Sequence, residues 1–174
     1  MTPRVLSLDI ATITGWGFMS IPKVEEFKLG IIKTNSEFSE AQRLAYFRNE
    51  LVGLLSEFKP THVVMEDIYS GVNVNVMKLL SKFAGVAEEC CLSIAGIEPY
   101  IIHTNTVKSY FKVKNKQQLF DFVVEVLGFE NDDVSFKKHN DIIDAVGQLL
   151  CYCDTVLGIK NFRLEKNYGF LYEV

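Results

Sequence analysis

RVLSLDIATITGWGFMSIPKVEEFKLGIIKT, residues 4–34, is the stretch from which the fold is read. RVLSLDI is a short apolar run ending in an acid, Asp9, and TGWGFMSI and EEFKLGIIKT follow it, rich in aromatic and β-branched residues with glycines between. Runs of this length and composition, separated by short turns, predict three consecutive antiparallel strands.

Beyond this opening the periodicity changes. From about Ser36 to Phe58, Leu44, Phe47, Leu51 and Leu54 or Leu55 recur at helical spacing, and Pro60 stands just past the end. THVVMED, residues 61–67, is a solid apolar run closed by acids and suits a buried central strand. After a turn around Ser70 and Gly71, the segment from Val72 to Ala95 predicts a long helix. Val74, Met77, Leu80, Phe83, Ala84, Ala87 and Cys91 mark one stripe on it, and Leu79, Val86, Cys90 and Ile94 mark a second. A helix apolar on two sides meets two partners, so a two-fold interface between copies is expected there. PYIIHT reads as a fifth strand, TVKSYF as a short helix, KQQLFDFVVEVLGF as an amphipathic helix ending at Gly128, and the last helix as Lys138 to Leu157.

Strands in a run, followed by strands alternating with helices, predict an α/β fold. Its five-stranded mixed sheet has the first three strands antiparallel and the rest parallel, with helices on its flanks. No internal repeat, low-complexity tract or linker marks a boundary, so residues 1–174 are read as one domain. The hydrophobic fraction of 48% and charged fraction of 23% are those of an ordinary globular chain. A formal charge of −4 argues against a general, strongly basic polyanion binder. The four cysteines, Cys90, Cys91, Cys151 and Cys153, match neither a zinc spacing nor a redox CxxC and are expected as reduced thiols. The start MTPRVLSLDI lacks a signal-peptide core and no apolar run approaches a membrane span, so a cytoplasmic setting without membrane contact is expected.

Chemistry is carried by acids. In sheets of this kind ligands sit where strands end. Asp9 closes the first predicted strand and Glu66 the fourth, while HNDIIDAVGQ, residues 139–148, puts Asp141 and Asp144 on one face of a helix, where like charges repel. Carboxylates crowded in a cleft need protons or cations to neutralise them, and hard cations such as magnesium prefer oxygen ligands. Two magnesium ions about 4 Å apart form the arrangement that nucleases and polymerases use for in-line phosphoryl displacement.

LSLDIATITGWGF, VVMEDIYSGVNVNVMKLLSKFAGVAEE and HNDIIDAVGQLL resemble, in order and at similar spacing, the three acidic motifs of the RuvC-type Holliday junction resolvases, over about residues 4–155. The resemblance implies a ribonuclease H-like fold, a homodimer, and magnesium-dependent paired nicking of a four-way DNA junction, leaving a 5′-phosphate and a 3′-hydroxyl. It implies Asp9, Glu66, Asp141 and Asp144 as catalytic metal ligands for two Mg2+, with Mn2+ as the substitute. It also implies Tyr69 as an aromatic ring at the junction centre, able to stack on an unpaired base, and Lys108 and Lys116 near basic positions that face the scissile phosphate. The chain departs from the pattern at Ile10 and Ala11, where many relatives carry Pro-Gly or a small polar residue, and between Lys108 and Lys116, where its loop is shorter. A compact, divergent version of this kind suits a phage or other mobile element, acting in the host cytoplasm.

Read from the residues alone, KSYFKVKNK holds Lys108, Lys112, Lys114 and Lys116 with Tyr110 and Phe111 between them, and Lys137 and Lys138 adjoin the last acids. Lysines so placed suit phosphate contacts, with Lys108, Lys112, Lys114, Lys116 and Lys138 along the DNA, and the resemblance implies Lys108 at the catalytic centre as well. The competing reading of such a run is a solvated surface. His62 and His103 adjoin strand interiors and are expected as satisfied structural histidines, Trp16 as a packed ring, and His139 as either a phosphate contact or a helix-start residue. Two other functions compete with the nuclease. One is a lobe of an actin-like or sugar-kinase ATPase, suggested by the strand-end aspartate followed by T-G-W, and the other is a catalytically idle scaffold for branched DNA.

Overall fold

The computed structural model describes residues 2–21, 26–68, 73–128 and 134–159. β1 (Arg4–Asp9), β2 (Ile13–Ser20) and β3 (Phe27–Lys33) form an antiparallel meander. α1 (Glu40–Phe58) leads to β4 (His62–Glu66), and α2 (Val74–Cys90), extended by a π-helical turn at Cys91–Ala95, leads to β5 (Tyr100–Ile102). α3 (Thr104–Phe111), α4 (Lys116–Leu127) and α5 (Phe136–Thr155) complete the chain. The strand order is β3-β2-β1-β4-β5, with β4 parallel to both β1 and β5, so the mixed sheet has the predicted composition.

Alternation along the strands splits the core in two. Val5, Met19, Leu29 and Val64 face α4 and α5, where they meet Leu119, Val123, Ile143, Val146 and Leu149. Leu6, Leu8, Phe18, Val63 and Met65 face α1 and α2, where they meet Phe47, Leu51, Phe58, Phe83 and Ala87. Trp16 packs as expected: its ring lies 5.5 Å from that of Phe58, and it crosses Gly30, where a β-carbon would sit 2.7 Å from the indole.

α1 starts four residues later than its periodicity suggested, and the cause is local. Asn35 accepts a hydrogen bond from the Glu37 amide at 2.9 Å, holding residues 35–37 in a turn. Ser39 then caps the helix: its hydroxyl accepts from the Gln42 amide at 3.3 Å, and the Gln42 side chain accepts from the Ser39 amide at 2.8 Å. At the far end Lys59 takes a left-handed conformation, φ 42°, as the residue before Pro60 is barred from continuing the helix.

The second stripe of α2 differs from expectation. Cys90 is fully buried, and Leu79 and Val86 pack against the chain's own core. Of that stripe Ile94 alone is exposed, past the helix, and further exposed apolar side chains lie at Val74, Val76 and Leu92. The four cysteines are buried thiols, with Cys91 and Cys153 both pushed up to about 12 by burial. Among the described residues no helix is long and apolar enough to cross a membrane.

Candidate active site

β1 and β4 run parallel side by side, so their C-terminal ends, Asp9 and Glu66, open at the same edge of the sheet. Asp9 faces the α5 side, two residues on from Ser7, whose hydroxyl donates to Gln148 of α5 at 3.4 Å. α5 reaches this edge because of Gly15, the cross-strand partner of Asp9. A β-carbon at Gly15 would lie 1.9 Å from the Asp141 carbonyl oxygen. Only a glycine allows the helix backbone to rest on the strand there and bring Asp141 and Asp144 beside Asp9. The turn between β1 and β2 is held by Thr14, whose hydroxyl donates to the Ala11 carbonyl at 2.8 Å.

The carboxylates interact as a group. Asp9 is only 6% exposed. Burial, a side-chain hydrogen bond with Glu66 and the charges of Glu66 and Asp144 hold its carboxyl well above the usual range, against the pull of Lys116. Asp144, also buried, is raised by burial and by the charges of Glu66 and Asp141, again opposed by Lys116. Burial raises Asp141 too. The repulsion foreseen between Asp141 and Asp144 is therefore present, and so is its partial compensation.

That compensation comes from Lys116. Its ammonium stands 2.5 Å from Asp144 Oδ2, with about half of the side chain still exposed. Burial alone pushes this lysine down, but Asp144, Asp9 and Glu66 together outweigh it and hold the ammonium firmly protonated. Its place is set by α4, which starts at Lys116 behind the Asn115 cap and packs along α5. On the other flank the Thr104 hydroxyl donates to Glu66 Oε1 and the Asp67 amide to the Ile102 carbonyl at 2.9 Å, fixing the ends of β4 and β5.

The remaining candidates divide. Lys108 lies half-buried in the last turn of α3, while Lys112, Lys114 and Lys138 are exposed, and none of these four forms an ion pair among the described residues. Tyr69 lies outside the described residues. His139 Nδ1 accepts the Ser135 amide at 2.9 Å and so serves the start of α5, the second of the readings open to it. His62 is satisfied by Thr61 at 2.9 Å, as expected. His103 corrects the expectation: its side chain is 71% exposed and pairs with Asp67 at 2.9 Å, because β5 ends at Ile102 and leaves it at the open rim.

Sequence reasoning missed Thr104 and the role of Gly15. A threonine just past a strand has no linear signature, but a glycine inside an apolar strand is a standing sign of close backbone approach. As a donor set, the site offers only hard carboxylate oxygens and more negative charge than one ammonium cancels, which suits a divalent cation. Among the described residues no three acidic, histidine or cysteine groups converge tightly enough to hold an ion as they stand, with Asp144 engaged by Lys116.

Comparison with known proteins identifies the family and the fold. The most similar relatives include the crossover junction endodeoxyribonuclease RuvC of Ehrlichia canis, 30% identical over 145 residues that cover 80% of this chain and 88% of the relative. That of Caldicellulosiruptor saccharolyticus is 26% identical over 86% of this chain and 91% of its own length. Among solved structures, Thermus thermophilus RuvC in complex with a Holliday junction substrate superposes with a TM-score of 0.73 at 16% identity, covering 90% of this chain and 97% of that one. The yeast mitochondrial Holliday junction resolvase Ydc2 gives a TM-score of 0.58 at 18% identity, over 86% and 77% of the two chains. These likenesses establish the ribonuclease H-like fold. The family model for crossover junction endodeoxyribonuclease RuvC matches residues 10–152, from the residue after Asp9 to past both acids of α5, and with the Ehrlichia relative it shows that this chain belongs to the RuvC family.

Proposed function

We propose that this chain is a magnesium-dependent endonuclease that resolves four-way DNA junctions by paired symmetric nicks. The observation that carries the reading is the crowding of Asp9, Glu66 and Asp144 at one sheet edge, with Asp9 buried and its charge opposed by its neighbours. Membership of the RuvC family favours it over a kinase-type lobe or an idle scaffold. Magnesium, with manganese as substitute, bound by Asp9, Glu66, Asp141 and Asp144 supplies Lewis-acid polarisation of a phosphoryl group and a water of lowered pKa. Asp9, as deeply buried as Asp144, anchors the set from the sheet, while Glu66 is held in place by Thr104. Lys116 neutralises Asp144 in the resting protein and is free, on exchange, to hold a phosphate oxygen. Lys108, Lys112, Lys114 and Lys138 fix the register of the DNA through its backbone, and Tyr69 stacks at the junction centre.

Symmetric cutting needs two such sites related by a two-fold axis. Exposed Val74 and Val76 on α2, with Leu92 and Ile94 beyond it, are the apolar surface that a homodimer would cover. The decisive experiment offers labelled four-way, forked, flapped and linear DNA with magnesium. Paired nicks on the four-way junction are expected from the wild type, none from Asp9→Asn or Glu66→Gln, and junction binding is retained in both variants. Equal cutting of all substrates, or a wild-type rate from Asp9→Asn, would reject the reading.

A further inference from the structure

We infer that a groove at the ends of β2 and β3, lined by Lys33, Thr34, Asn35, Ser36, Arg43 and Thr12, is a second phosphate-binding site, which seats a backbone phosphodiester of the DNA strand as it leaves the catalytic edge. The inference rests on the nuclease reading above. The groove has a volume of about 570 Å³. Its floor is tied to the catalytic strand: the Thr34 hydroxyl donates to the Thr12 carbonyl at 3.0 Å, and Thr12 lies three residues past Asp9.

Register places the groove at the same end of the sheet as Asp9, with Lys33 reaching it from β3 and Arg43 from α1 on the other face. Asp9 pairs with Gly15, Gly15 with Ile31 and Ile13 with Lys33. Ile31 packs on the α5 side, so Lys33, two residues on, faces that side as Asp9 does. Two strand spacings across the sheet, roughly 10 Å, and two residues along β3, roughly 7 Å, separate Lys33 from Asp9.

The charges suit an anion. Lys33 is exposed and takes part in no ion pair among the described residues. Arg43 donates to the Phe38 carbonyl at 3.1 Å and to the Ser36 carbonyl at 2.6 Å, so it holds the loop in shape while its charge stays beside the groove. Of the two acids in this segment, Glu40 is paired with Lys82, leaving Glu37 as the opposing charge. Lys116 stands at Asp144, one of the acids grouped with Asp9, and Lys33 lies two strands from Asp9 at the same end of the sheet, so cations stand at two places along that end. A ligand that meets both sets must carry anions at regular intervals over that span, which a nucleic acid strand does and a free phosphate does not.

The test measures four-way junction affinity without magnesium, from about 50 to 200 mM salt, for wild type, Lys33→Gln and Lys59→Gln. Lys59 is an exposed lysine at the opposite end of the sheet and serves as the control. Lys33→Gln is expected to bind more weakly and to lower the slope of log K against log salt by about one, the signature of one lost phosphate contact, while Lys59→Gln follows the wild type. A wild-type slope and affinity from Lys33→Gln would overturn this site and leave the nuclease reading standing. A wild type that fails to bind the junction would overturn both.

Discussion

The two faces of the sheet solve different problems. Toward α1 and α2 the interior is apolar and aromatic, with Phe18 and Phe58 stacked at 4.5 Å and Phe47 set edge-on to Phe83 at 5.0 Å. Toward α5 the same strands bury Ser7, Asp9, Asp144 and Gln148, and a glycine admits the helix backbone where a side chain would otherwise fill space. Both faces bury an apolar core, and the α5 face in addition tolerates charge repulsion at its acidic edge. Buried charge is thus kept separate, on one side of a single layer of strands, and substitutions should sort by the face they touch.

The largest effect on stability should come from the apolar face. Phe47→Ala empties a site that is fully buried and should lower unfolding free energy by about 4 kcal/mol in urea titrations. Its cleavage rate below the unfolding transition should stay near that of the wild type, and a complete loss would break the separation. Gly15→Ala should cost about 3 kcal/mol, since the added carbon meets backbone rather than a flexible side chain. Unlike Phe47→Ala it should also abolish nicking, because the displaced helix carries Asp141 and Asp144.

Asp9→Asn should act with the opposite sign. In the metal-free protein the native Asp9 carboxyl lies above its ordinary value of 3.8, so the folded state binds its proton more tightly than the unfolded state. Stability from this group is present below pH 3.8 and is lost as pH rises through the raised native value. Asp9→Asn should therefore raise the Tm of the metal-free protein at neutral pH and flatten its fall with pH, and magnesium should raise the Tm of the wild type only. The smallest change belongs to Ser7→Ala, which removes one long hydrogen bond to Gln148 and should cost about 1 kcal/mol with cleavage retained.

Much of the acidic edge was legible in the sequence, because strand-end acids and an i, i+3 acidic pair are local patterns. Asp9 and Glu66 needed only the apolar runs that precede them, and Asp141 and Asp144 only the helical period around them. Lys116 was not distinguishable from Lys112 or Lys114 by spacing. What singles it out is the packing of α4 along α5, a contact between segments 28 residues apart at Lys116 and Asp144. Likewise nothing near Thr104 announced its bond to Glu66, which depends on β5 pairing with β4. The shifted start of α1 has a local cause in Asn35 and Ser39, a capping signal that the apolar periodicity hides.

The inert thiols have a practical consequence. Cys90, Cys91, Cys151 and Cys153 are all buried and their sulfurs are held protonated. Maleimide dyes attack the accessible thiolate, so the native chain should remain unlabelled in brief reactions at neutral pH. A lone cysteine introduced on the surface would then accept one fluorophore without any background, and energy transfer from it to a dye on each arm would trace the path of the duplexes over the protein.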